Sequence, residues 1–452
     1  MNQIEKKVLQ KITPTVEYRE KIKKIVKELE DKIKKETKKR KLPVDIILVG
    51  SIAKDTYLMN NMDIDFFICF PTNFKKEKIA KNAISIGKVI LTDTEESYAE
   101  HPYLRGYYKE YYVELVPCYK IEKSSQKLSA VDRTPLHTEY VKKHLKKTQK
   151  KDVRLLKQFL RGINCYGAEA QIQGFSGYLC EILILYYGSF KKLIEEAKNW
   201  KPGIKIFLKK GKNPIFDTPL IFIDPVDPER NVASALSKKK FDFFIKASRE
   251  YQKKPDINFF FPKPIKPWTI KKIKNKLKKQ DCRYVGIKFK EPNIIDENLY
   301  PQVRKAKSSI KKACEKKDFK IFDTQFFIDK KSNEIYIIIK TTIEKLSETK
   351  IHQGPPIKLT DNVNQFKEKW MKHKKLVRGP FEKNKRINVE IKRNYRDIKN
   401  FLEENLSNLS LGKHLDKIIE KNYEIIESEK LLNENLRIFW TDYLDEKYSW
   451  ER

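Results

Sequence analysis

The stretch Gly50–Phe70, which reads GSIAKDTYLMNNMDIDFFICF, constrains the fold of this chain more than any other. It follows Val44–Val49, a short β-branched apolar run that predicts a buried strand. After the Gly-Ser break, Asp63–Ile68 predicts a second strand, in which alternate side chains point to the same face. Asp63 and Asp65 therefore share one face, and two carboxylates so close require a cation, a shared proton or abundant water.

Gly50 and Ser51 supply a phosphate-binding half to this pattern. Glycine lets backbone N–H groups approach a phosphate closely, the serine hydroxyl can donate to the same oxygen, and Lys54 can place a charge beside it. Taken singly, a Gly-Ser pair is usually a tight turn and an Asp-x-Asp segment a solvated acidic edge. Twelve residues apart and between two apolar runs, they together predict a two-metal nucleotidyl-transfer site.

Length and charge limit the class of protein. A chain of 452 residues is too long for one core and predicts about two to four domains. The net charge of +36, from 97 Lys and Arg against 61 Asp and Glu, predicts a polyanionic partner. No apolar run approaches the ~20 residues of a spanning helix, so no membrane association is expected. Met1–Lys11 is already charged, which argues against an apolar signal peptide.

The cysteines indicate a reducing compartment. None of the six shows C-x-x-C spacing, and several lie inside apolar runs. We therefore expect reduced core thiols in a cytoplasmic protein, not disulfides or zinc ligands. The six are Cys69, Cys118, Cys165, Cys180, Cys282 and Cys314.

Helices are predicted on either side of the first two strands. Met1–Lys41 has a helical pattern, and its narrow apolar stripe is expected to pack on the catalytic sheet. Ala80–Leu91 predicts a helix that returns the chain to that sheet. The stripe consists of Ile22, Ile25, Val26 and Leu29.

Glu114 is a single carboxylate in an otherwise apolar strand. Two strands are predicted after His101, at Gly106–Tyr112 and at Val113–Tyr119, and the second contains Glu114. A buried glutamate is costly unless it is paired, protonated or bound to a metal. We therefore interpret Glu114 as the third carboxylate of the metal site; the alternative is an edge-strand glutamate that faces water.

Three segments in this order resemble the archaeal-type (class I) CCA-adding tRNA nucleotidyltransferases: Gly50-Ser51 with Asp63-Ile64-Asp65, Val113–Pro117 and Ala130–His137. The resemblance continues over most of the chain, through Val153–Gly167, Gly174–Glu181, Asp224–Val232, His352–Pro356 and Arg378–Phe381. The chain departs from the family at two positions, since the family often has Arg where Lys54 stands and usually has Asp where Glu114 stands.

The resemblance implies an α+β multidomain fold. Residues 1–145 would form a polymerase β-like nucleotidyltransferase catalytic domain, and residues 146–275 a mainly helical central domain. Residues 276–452 would form an RRM-like α+β C-terminal body and tail that binds tRNA.

It also implies an activity and a set of site residues. The chain would add C, C and A to the 3′ end of tRNA from CTP and ATP, without a template and with release of pyrophosphate. Two Mg²⁺ ions would be bound by the catalytic carboxylates, and the positive later domains would bind the acceptor stem and T arm. The carboxylates are Asp63, Asp65 and Glu114, and the nucleotide-binding residues are Gly50, Ser51, Lys54, Thr134, His137, Lys157, Tyr166 and Arg230.

Several alternatives stay open. A related RNA 3′-adenylating enzyme would share the catalytic pattern, and an RNA-binding homologue could retain an inactive transferase fold. Lys157 could be an ordinary helix-surface lysine, and Arg230 could pair with Asp227 or Glu229 instead of reading the base. The sequence does not fix the oligomeric state, and a homodimer is one option.

The C-terminal half has a β-α-β-β order. It suggests a split β-α-β or RRM-like module, but no RNP-type Gly-Phe aromatic run is present, so the module can be scaffold or RNA reader. Further along, a helix is predicted around Phe366 and Trp370, a strand at Ile387–Ile391, and a docked aromatic tail near Trp450. The four elements of the module are Tyr284–Phe289, Pro301–Lys317, Phe319–Ile328 and Ile335–Thr342.

Overall fold

The computed structural model describes residues 1–59, 62–98, 101–209 and 214–452. It divides into two compact units, one formed by Met1–Pro264 with Lys447–Arg452 and the other by Ile265–Glu446. Within the described ranges, no helix is long and apolar enough to cross a membrane. All six cysteines are free thiols, five of them buried, in agreement with the sequence prediction.

The first unit contains a five-stranded sheet in the order β1-β2-β5-β4-β3. Strands β2 and β5 are parallel, and the other neighbours are antiparallel. The strands predicted around Val44–Val49, Asp63–Ile68 and Val113–Tyr119 are confirmed. The strand predicted at Gly106–Tyr112 is wrong in its bounds, because the chain turns at Lys109-Glu110 between β4 and β5. Strand β3 was not predicted because its exposed, polar sequence shows no apolar alternation. The strands are β1 Asp45–Leu48, β2 Ile64–Phe70, β3 Thr92–Tyr98, β4 Pro102–Tyr108 and β5 Tyr111–Tyr119.

The N-terminal segment forms two helices, α1 (Gln3–Ile12) and α2 (Val16–Lys39). The stripe of α2 packs on the sheet together with α4 (Lys76–Ile90), as predicted. Helix α1 does not, since its buried Val8 and Ile12 belong to the neighbouring helical core. The chain breaks between the two helices before Thr15, which caps α2, and this break directs α1 to a different core.

The helical part of the first unit follows the sheet. A single apolar core joins α1 to the later helices, and two parallel strands flank it. The mainly helical character predicted for this region is confirmed. Near the C-terminus, Trp450 is buried and stacks on Phe259 with ring centroids 4.9 Å apart, so the tail is docked as predicted. The elements are α5 Arg133–His144, α6 Lys150–Gly162, α7 Gly177–Tyr187, α8 Phe190–Ala197, β6 Ile204–Phe207, β7 Leu220–Ile223 and α9 Lys238–Lys253; the short helix α3, Gly50–Lys54, precedes them.

The second unit is built on a four-stranded sheet in the order β14-β8-β10-β9. Because β10 is antiparallel to both β8 and β9, these two run parallel with one strand between them, which is the predicted split β-α-β arrangement. Strand β14 adds to the edge beside β8 and completes an RRM-like order. The elements are α10 Ile270–Lys278, β8 Arg283–Lys290, α11 Asp296–Glu315, β9 Ile321–Asp329, β10 Glu334–Thr341, α13 Ile398–Asn405, α14 Lys413–Ile419, β14 Glu424–Glu427 and α15 Arg437–Leu444.

Helices cover both faces of this sheet. Helices α11, α13 and α14 pack on one face, and α10 and α15 pack on the other. Tyr284 and Tyr336, which project from β8 and β10, are buried in the core that includes Trp440 of α15, and the Tyr284 ring contacts Trp440 edge-on. An RRM stacks bases on aromatic side chains of its central strands, and on this face those side chains are covered by helices.

A smaller three-stranded sheet in the second unit has the order β11-β13-β12 and packs against α12. Its two outer strands contain the signatures His352–Pro356 and Arg378–Phe381. The predicted helix around Phe366 and Trp370 and the predicted strand at Ile387–Ile391 are confirmed. The elements are β11 Thr349–Pro356, α12 Thr360–Met371, β12 Leu376–Lys383 and β13 Arg386–Lys392.

Candidate active site

Asp65 lies on β2 directly against the start of α3. Gly50 has φ +70, and a Cβ added there would lie 1.9 Å from Asp65 Oδ2. Only glycine fits this position, both for its backbone conformation and for the space that the carboxylate occupies. The Val49 N–H also donates to the Asp65 carbonyl oxygen at 2.9 Å. The Gly50 backbone thus fixes where the Asp65 carboxylate sits.

The parallel pairing of β2 with β5 brings the three predicted carboxylates to one place. Asp65 and Glu114 are direct register partners, so their side chains leave the sheet on the same face. Asp63 is exposed just before β2 begins, and its charge acts on both of the other carboxylates. The tertiary structure therefore assembles the predicted set from two strands that are far apart in sequence.

Burial makes these carboxylates hard to ionise. Burial, reinforced by the charges of Glu114 and Asp63, raises the pKa of Asp65 to about 8. Burial likewise raises the pKa of Glu114, although Arg105 opposes this shift. Desolvation also raises the pKa of Asp63 at the exposed rim. Like charges held this close are relieved by a cation, and hard divalent cations such as Mg²⁺ prefer carboxylate oxygens.

Arg105 on β4 already supplies one cation to this site. It is the register partner of Glu114, and its Nε lies 2.8 Å from Glu114 Oε1. Across the part of the chain that the structure describes, no three His, Cys, Asp or Glu side chains are grouped closely enough to hold a metal as they stand. The donor chemistry nevertheless fits Mg²⁺, with Asp65 fixed by Gly50 and Glu114 engaged by Arg105. Sequence analysis missed Arg105, which only the sheet register reveals.

A buried ion cluster lies beside the carboxylates. Glu181 of α7 is fully buried; its Oε2 accepts from Lys54 Nζ at 2.6 Å and its Oε1 from Thr56 Oγ1 at 2.6 Å. Lys157 of α6 lies 3.6 Å from the same carboxylate and donates to the Thr56 carbonyl oxygen at 3.2 Å. Two lysines thus share one carboxylate, which leaves this cluster with more positive than negative charge.

The pKa shifts agree with this uneven sharing. Burial by itself would raise the pKa of Glu181, but Lys54 and Lys157 outweigh it, so the pKa is lowered. Burial lowers the pKa of Lys157, and Glu181 only partly opposes that shift. Sequence analysis assigned no role to Glu181. The available signal was a lone charge in the apolar run Leu179–Tyr187, the same signal that identified Glu114.

Tyr166 and Lys157 both approach Gly177, the first residue of α7. A Cβ added at Gly177 would lie 3.2 Å from the Tyr166 hydroxyl and 3.8 Å from Lys157 Nζ, so both polar groups approach the same glycine. Burial raises the pKa of Tyr166, which therefore keeps its proton as a hydrogen-bond donor. Ser51 lies on α3 and Thr134 at the start of α5, and these two helices pack against each other.

Asp224 organises a third group of predicted site residues. His137 Nε2 lies 2.8 Å from Asp224 Oδ2, and Arg230 Nη1 donates to the same oxygen at 2.9 Å. Tyr178 donates to Asp224 Oδ1 at 3.1 Å and stacks on the His137 ring at 4.2 Å. Burial alone would raise the pKa of Asp224, but His137 and Arg230 hold it well below its usual range. The carboxylate thus stays ionised and fixes both His137, whose pKa is lowered by burial, and the Arg230 guanidinium.

Asp227, one of the two residues considered as ion-pair partners of Arg230, is occupied by other cations. Asp227 accepts from Lys127 at 2.7 Å and from Arg133 at 2.8 Å, and it contacts Arg230 through a backbone hydrogen bond of 2.9 Å. The Arg230 guanidinium itself is ion-paired with Asp224. Sequence analysis named Asp224 only within the segment Asp224–Val232 and gave it no role, because its partners are remote in sequence.

Three known domain families match this chain in succession. A nucleotidyltransferase domain matches residues 19–137, and the second domain of tRNA nucleotidyltransferases matches residues 151–261. The C-terminal domain of CCA-adding enzymes matches residues 282–428. The chain is 37% identical to a CCA-adding enzyme of Methanosarcina acetivorans over 439 residues, which cover 96% of each chain. It is 35% identical to a CCA-adding enzyme of Methanocaldococcus jannaschii over 446 residues, covering 93% of this chain and 96% of that one. Among solved structures, the Cid1 poly(U) polymerase with bound Mg 3′-dATP has a TM-score of 0.45 and 13% identity, over 57% of this chain and 97% of that one.

Proposed function

This chain belongs to the archaeal-type CCA-adding enzymes, and we propose that Asp63, Asp65 and Glu114 are its catalytic carboxylates. Its reaction is the template-independent addition of C, C and A to the 3′ end of tRNA from CTP and ATP. The observation that supports the carboxylate assignment best is the position of Asp65. Its carboxylate lies against Gly50, it is in register with Glu114, and desolvation together with the neighbouring carboxylates raises its pKa to about 8.

Nucleotidyltransferases use divalent metal ions, and we assign two Mg²⁺ ions to these carboxylates. When bound, they would activate the 3′-hydroxyl of the RNA and neutralise charge on the departing pyrophosphate. The part of the protein itself is to hold Asp65 in place through Gly50 and in register with Glu114. No protein nucleophile is required, because positioning and charge stabilisation account for the acceleration.

The triphosphate is assigned to the surplus of positive charge beside the carboxylates. Lys54 and Lys157 share Glu181, so a bound anion would balance the buried cluster. Tyr166, near Lys157, would donate its hydroxyl proton to a phosphate oxygen. The remaining members of this proposed nucleotide-binding set are Gly50, Ser51, Thr134 and His137.

Arg230 is assigned to reading the base. Cytosine O2 and N3 and adenine N1 accept hydrogen bonds, and an arginine offers several donors in a rigid fork. Asp224 fixes one edge of that fork at 2.9 Å and leaves its other donors for a ligand. His137, fixed by the same carboxylate, lies next to it.

Arg230→Ala is expected to reduce the discrimination between CTP and ATP more than it reduces tRNA affinity. The variant loses the donors that face the base, while the remote basic surfaces stay unchanged. Single-turnover rates with each nucleotide should be compared on tRNA that ends in both cytidines and on tRNA that lacks all three terminal bases. Arg249→Ala is a matched control, since Arg249 is exposed on α9 and donates to the Lys198 carbonyl oxygen. Equal slowing of both nucleotides on both substrates would mean that Arg230 is structural or binds phosphate.

The substrates are tRNA and nucleoside triphosphates, and the contact with tRNA is assigned to the acceptor stem and T arm. The net charge of +36 supports binding through phosphate contacts and the A-form shape of the RNA. We further propose a cytoplasmic enzyme with domains at residues 1–145, 146–275 and 276–452, and a homodimer as the assembly to test first.

Affinity for tRNA is expected to fall steeply with salt. Each phosphate that a lysine or arginine neutralises releases counterions, so log K should fall by roughly 0.7–0.9 per phosphate for each tenfold rise in salt. The measurement is a binding titration of tRNA between low and moderate KCl at constant Mg²⁺. A flat affinity over that range would show that the lysines do not make the phosphate contacts.

The whole assignment can be tested in one assay. The purified protein is incubated with tRNA that ends at the discriminator base, with CTP and ATP labelled in separate reactions. A CCA-adding enzyme incorporates two cytidines and then one adenosine. An RNA 3′-adenylating enzyme would incorporate adenosine without cytidine, and an inactive RNA-binding homologue would incorporate neither.

A further inference from the structure

A row of charged side chains crosses four strands of the catalytic sheet. Glu95 on β3 is the register partner of Arg105 on β4, Arg105 is the partner of Glu114 on β5, and Glu114 is the partner of Asp65 on β2. Side chains directly opposite each other on neighbouring strands share a face of the sheet. The row therefore reads carboxylate, guanidinium, carboxylate, carboxylate, with Arg105 between Glu95 and the candidate metal site.

Arg105 contacts the metal site in this structure. Its Nε lies 2.8 Å from Glu114 Oε1, and both side chains are partly buried, with exposures of 34% and 22%. The guanidinium also lies over the Tyr103 ring, with Cζ 5.1 Å from the ring centroid. On its other side, Glu95 is exposed at the edge strand. The guanidinium is thus held against Glu114 and over an aromatic ring, while Glu95 is its register partner on the neighbouring strand.

We propose that Arg105 is a positioning residue: it neutralises Glu114 in the metal-free enzyme and moves to Glu95 when Glu114 binds a divalent cation. This inference rests on the proposed assignment of Glu114 as a metal ligand. A divalent cation that takes Glu114 Oε1 competes for the oxygen that Arg105 contacts and repels the guanidinium, so metal binding at Glu114 favours its displacement. Arginine cannot lose its proton, and the displaced charge therefore needs another carboxylate within reach.

The identity of residue 114 matters for this exchange. Glutamate is one methylene longer than aspartate, and its carboxylate can reach either the neighbouring strand or the centre of the site. With Glu114 turned to Arg105, the described residues contain no ready three-ligand group, although Asp65 is already in place. Arg105 would thereby raise the metal concentration needed to occupy the site, and Glu95 would lower it by accepting the displaced guanidinium.

Binding of Mn²⁺ to the full-length chain, measured by electron paramagnetic resonance of the free ion without nucleotide or tRNA, tests the exchange. Arg105→Gln should tighten Mn²⁺ binding about tenfold, because the competing charge is gone. Glu95→Gln should weaken it about threefold, because the displaced guanidinium loses its second partner. Glu96→Gln is the matched control and should leave it unchanged; it removes the same charge one residue along, where Glu96 pairs with Lys88.

The Glu114→Gln variant separates this inference from the ligand assignment. If Glu114→Gln binds Mn²⁺ as tightly as the wild type, Glu114 is not a ligand, and both ideas are overturned. If Glu114→Gln binds weakly but Glu95→Gln behaves like Glu96→Gln, only the exchange is overturned. In the Glu114→Gln background, the tightening caused by Arg105→Gln should shrink to about twofold or less, since only its field at Asp65 remains. Should Arg105→Gln fail to fold, the Mn²⁺ affinities of Arg105→Lys and of the exposed variant Glu95→Gln still decide whether the exchange occurs.

Discussion

Asp65→Asn is expected to abolish the addition of both C and A while leaving tRNA affinity unchanged. The substitution keeps the size of the side chain against Gly50 but removes the buried negative charge that a divalent cation requires. Without a protein nucleophile to fall back on, the rate should drop at least about a thousandfold. Single-turnover incorporation of labelled CTP and ATP measures the loss, and a tRNA binding titration measures the retained affinity.

Asp45→Asn on the neighbouring strand β1 is the matched control. Asp45 is half exposed and pairs with Lys120 at 2.7 Å, so the same chemical change there should leave both rates intact. Turnover close to the wild-type rate in Asp65→Asn would contradict the metal-ligand assignment. Asp63→Ala should behave as Asp65→Asn does, because its carboxylate belongs to the same set.

Asp65→Asn should also change how the free energy of unfolding of the metal-free protein depends on pH. Asp65 has an ordinary pKa of 3.8 when unfolded, and burial raises it to about 8 in the folded chain. Between these values the folded state binds more protons than the unfolded state, so the free energy of unfolding falls as pH rises. Asp65→Asn removes this contribution, and its stability relative to the wild type should improve from about pH 4 to about pH 8. Urea unfolding in the presence of a chelator at several pH values provides the measurement.

Glu181→Gln is expected to lower the free energy of unfolding by about 3–5 kcal/mol. Glu181 is fully buried, and its carboxylate is the shared partner of Lys54 at 2.6 Å and Lys157 at 3.6 Å. Glutamine keeps the shape but leaves two ammonium groups facing each other without an anion. Removing one partner of a buried ion pair costs more than the pair contributes, because the remaining charge stays buried. Urea unfolding of the variant and of the wild type gives the difference.

A second substitution shows whether the cost comes from the unpaired charge. Adding Lys54→Met to Glu181→Gln removes one of the two lysines and should restore most of the lost stability. Glu195→Gln is the matched control, because Glu195 is exposed and forms an i,i+4 pair with Lys191 on α8, so the free energy of unfolding should change little. If Glu181→Gln were as stable as the wild type, or if Lys54→Met added to the loss, the cluster would not be a charge-balanced unit.

Local pattern was sufficient for the elements that carry the chemistry. The apolar runs on either side of the Gly-Ser break predicted β1 and β2, because residues of a buried strand show their burial directly in the sequence. Strand β3 and the four-residue β14 escaped prediction, since an exposed or very short strand leaves no such pattern. Helix α1 was assigned to the wrong core, because an apolar stripe indicates that one face of a helix is buried but does not indicate which element it packs against.

The charges that surround the candidate site show where local pattern stops. Sequence analysis selected Glu114 as a costly carboxylate, but its partner Arg105 is defined by the pairing of β4 with β5. Glu181 stands in an equally apolar run, yet its partner Lys54 is 127 residues away. Likewise, His137 and Asp224 meet across 87 residues.

The sequence by itself therefore determined the order of the motifs and through them the family, and it proposed which residues bear the reactive groups. The tertiary structure decided how those groups are paired: Arg105 with Glu114, two lysines with Glu181, and His137 with Arg230 around Asp224. The physical reason is that burial and periodicity act within a strand or helix, whereas a charge responds to whatever lies within a few ångströms of it. Sheet register and helix packing bring those neighbours from distant parts of the chain.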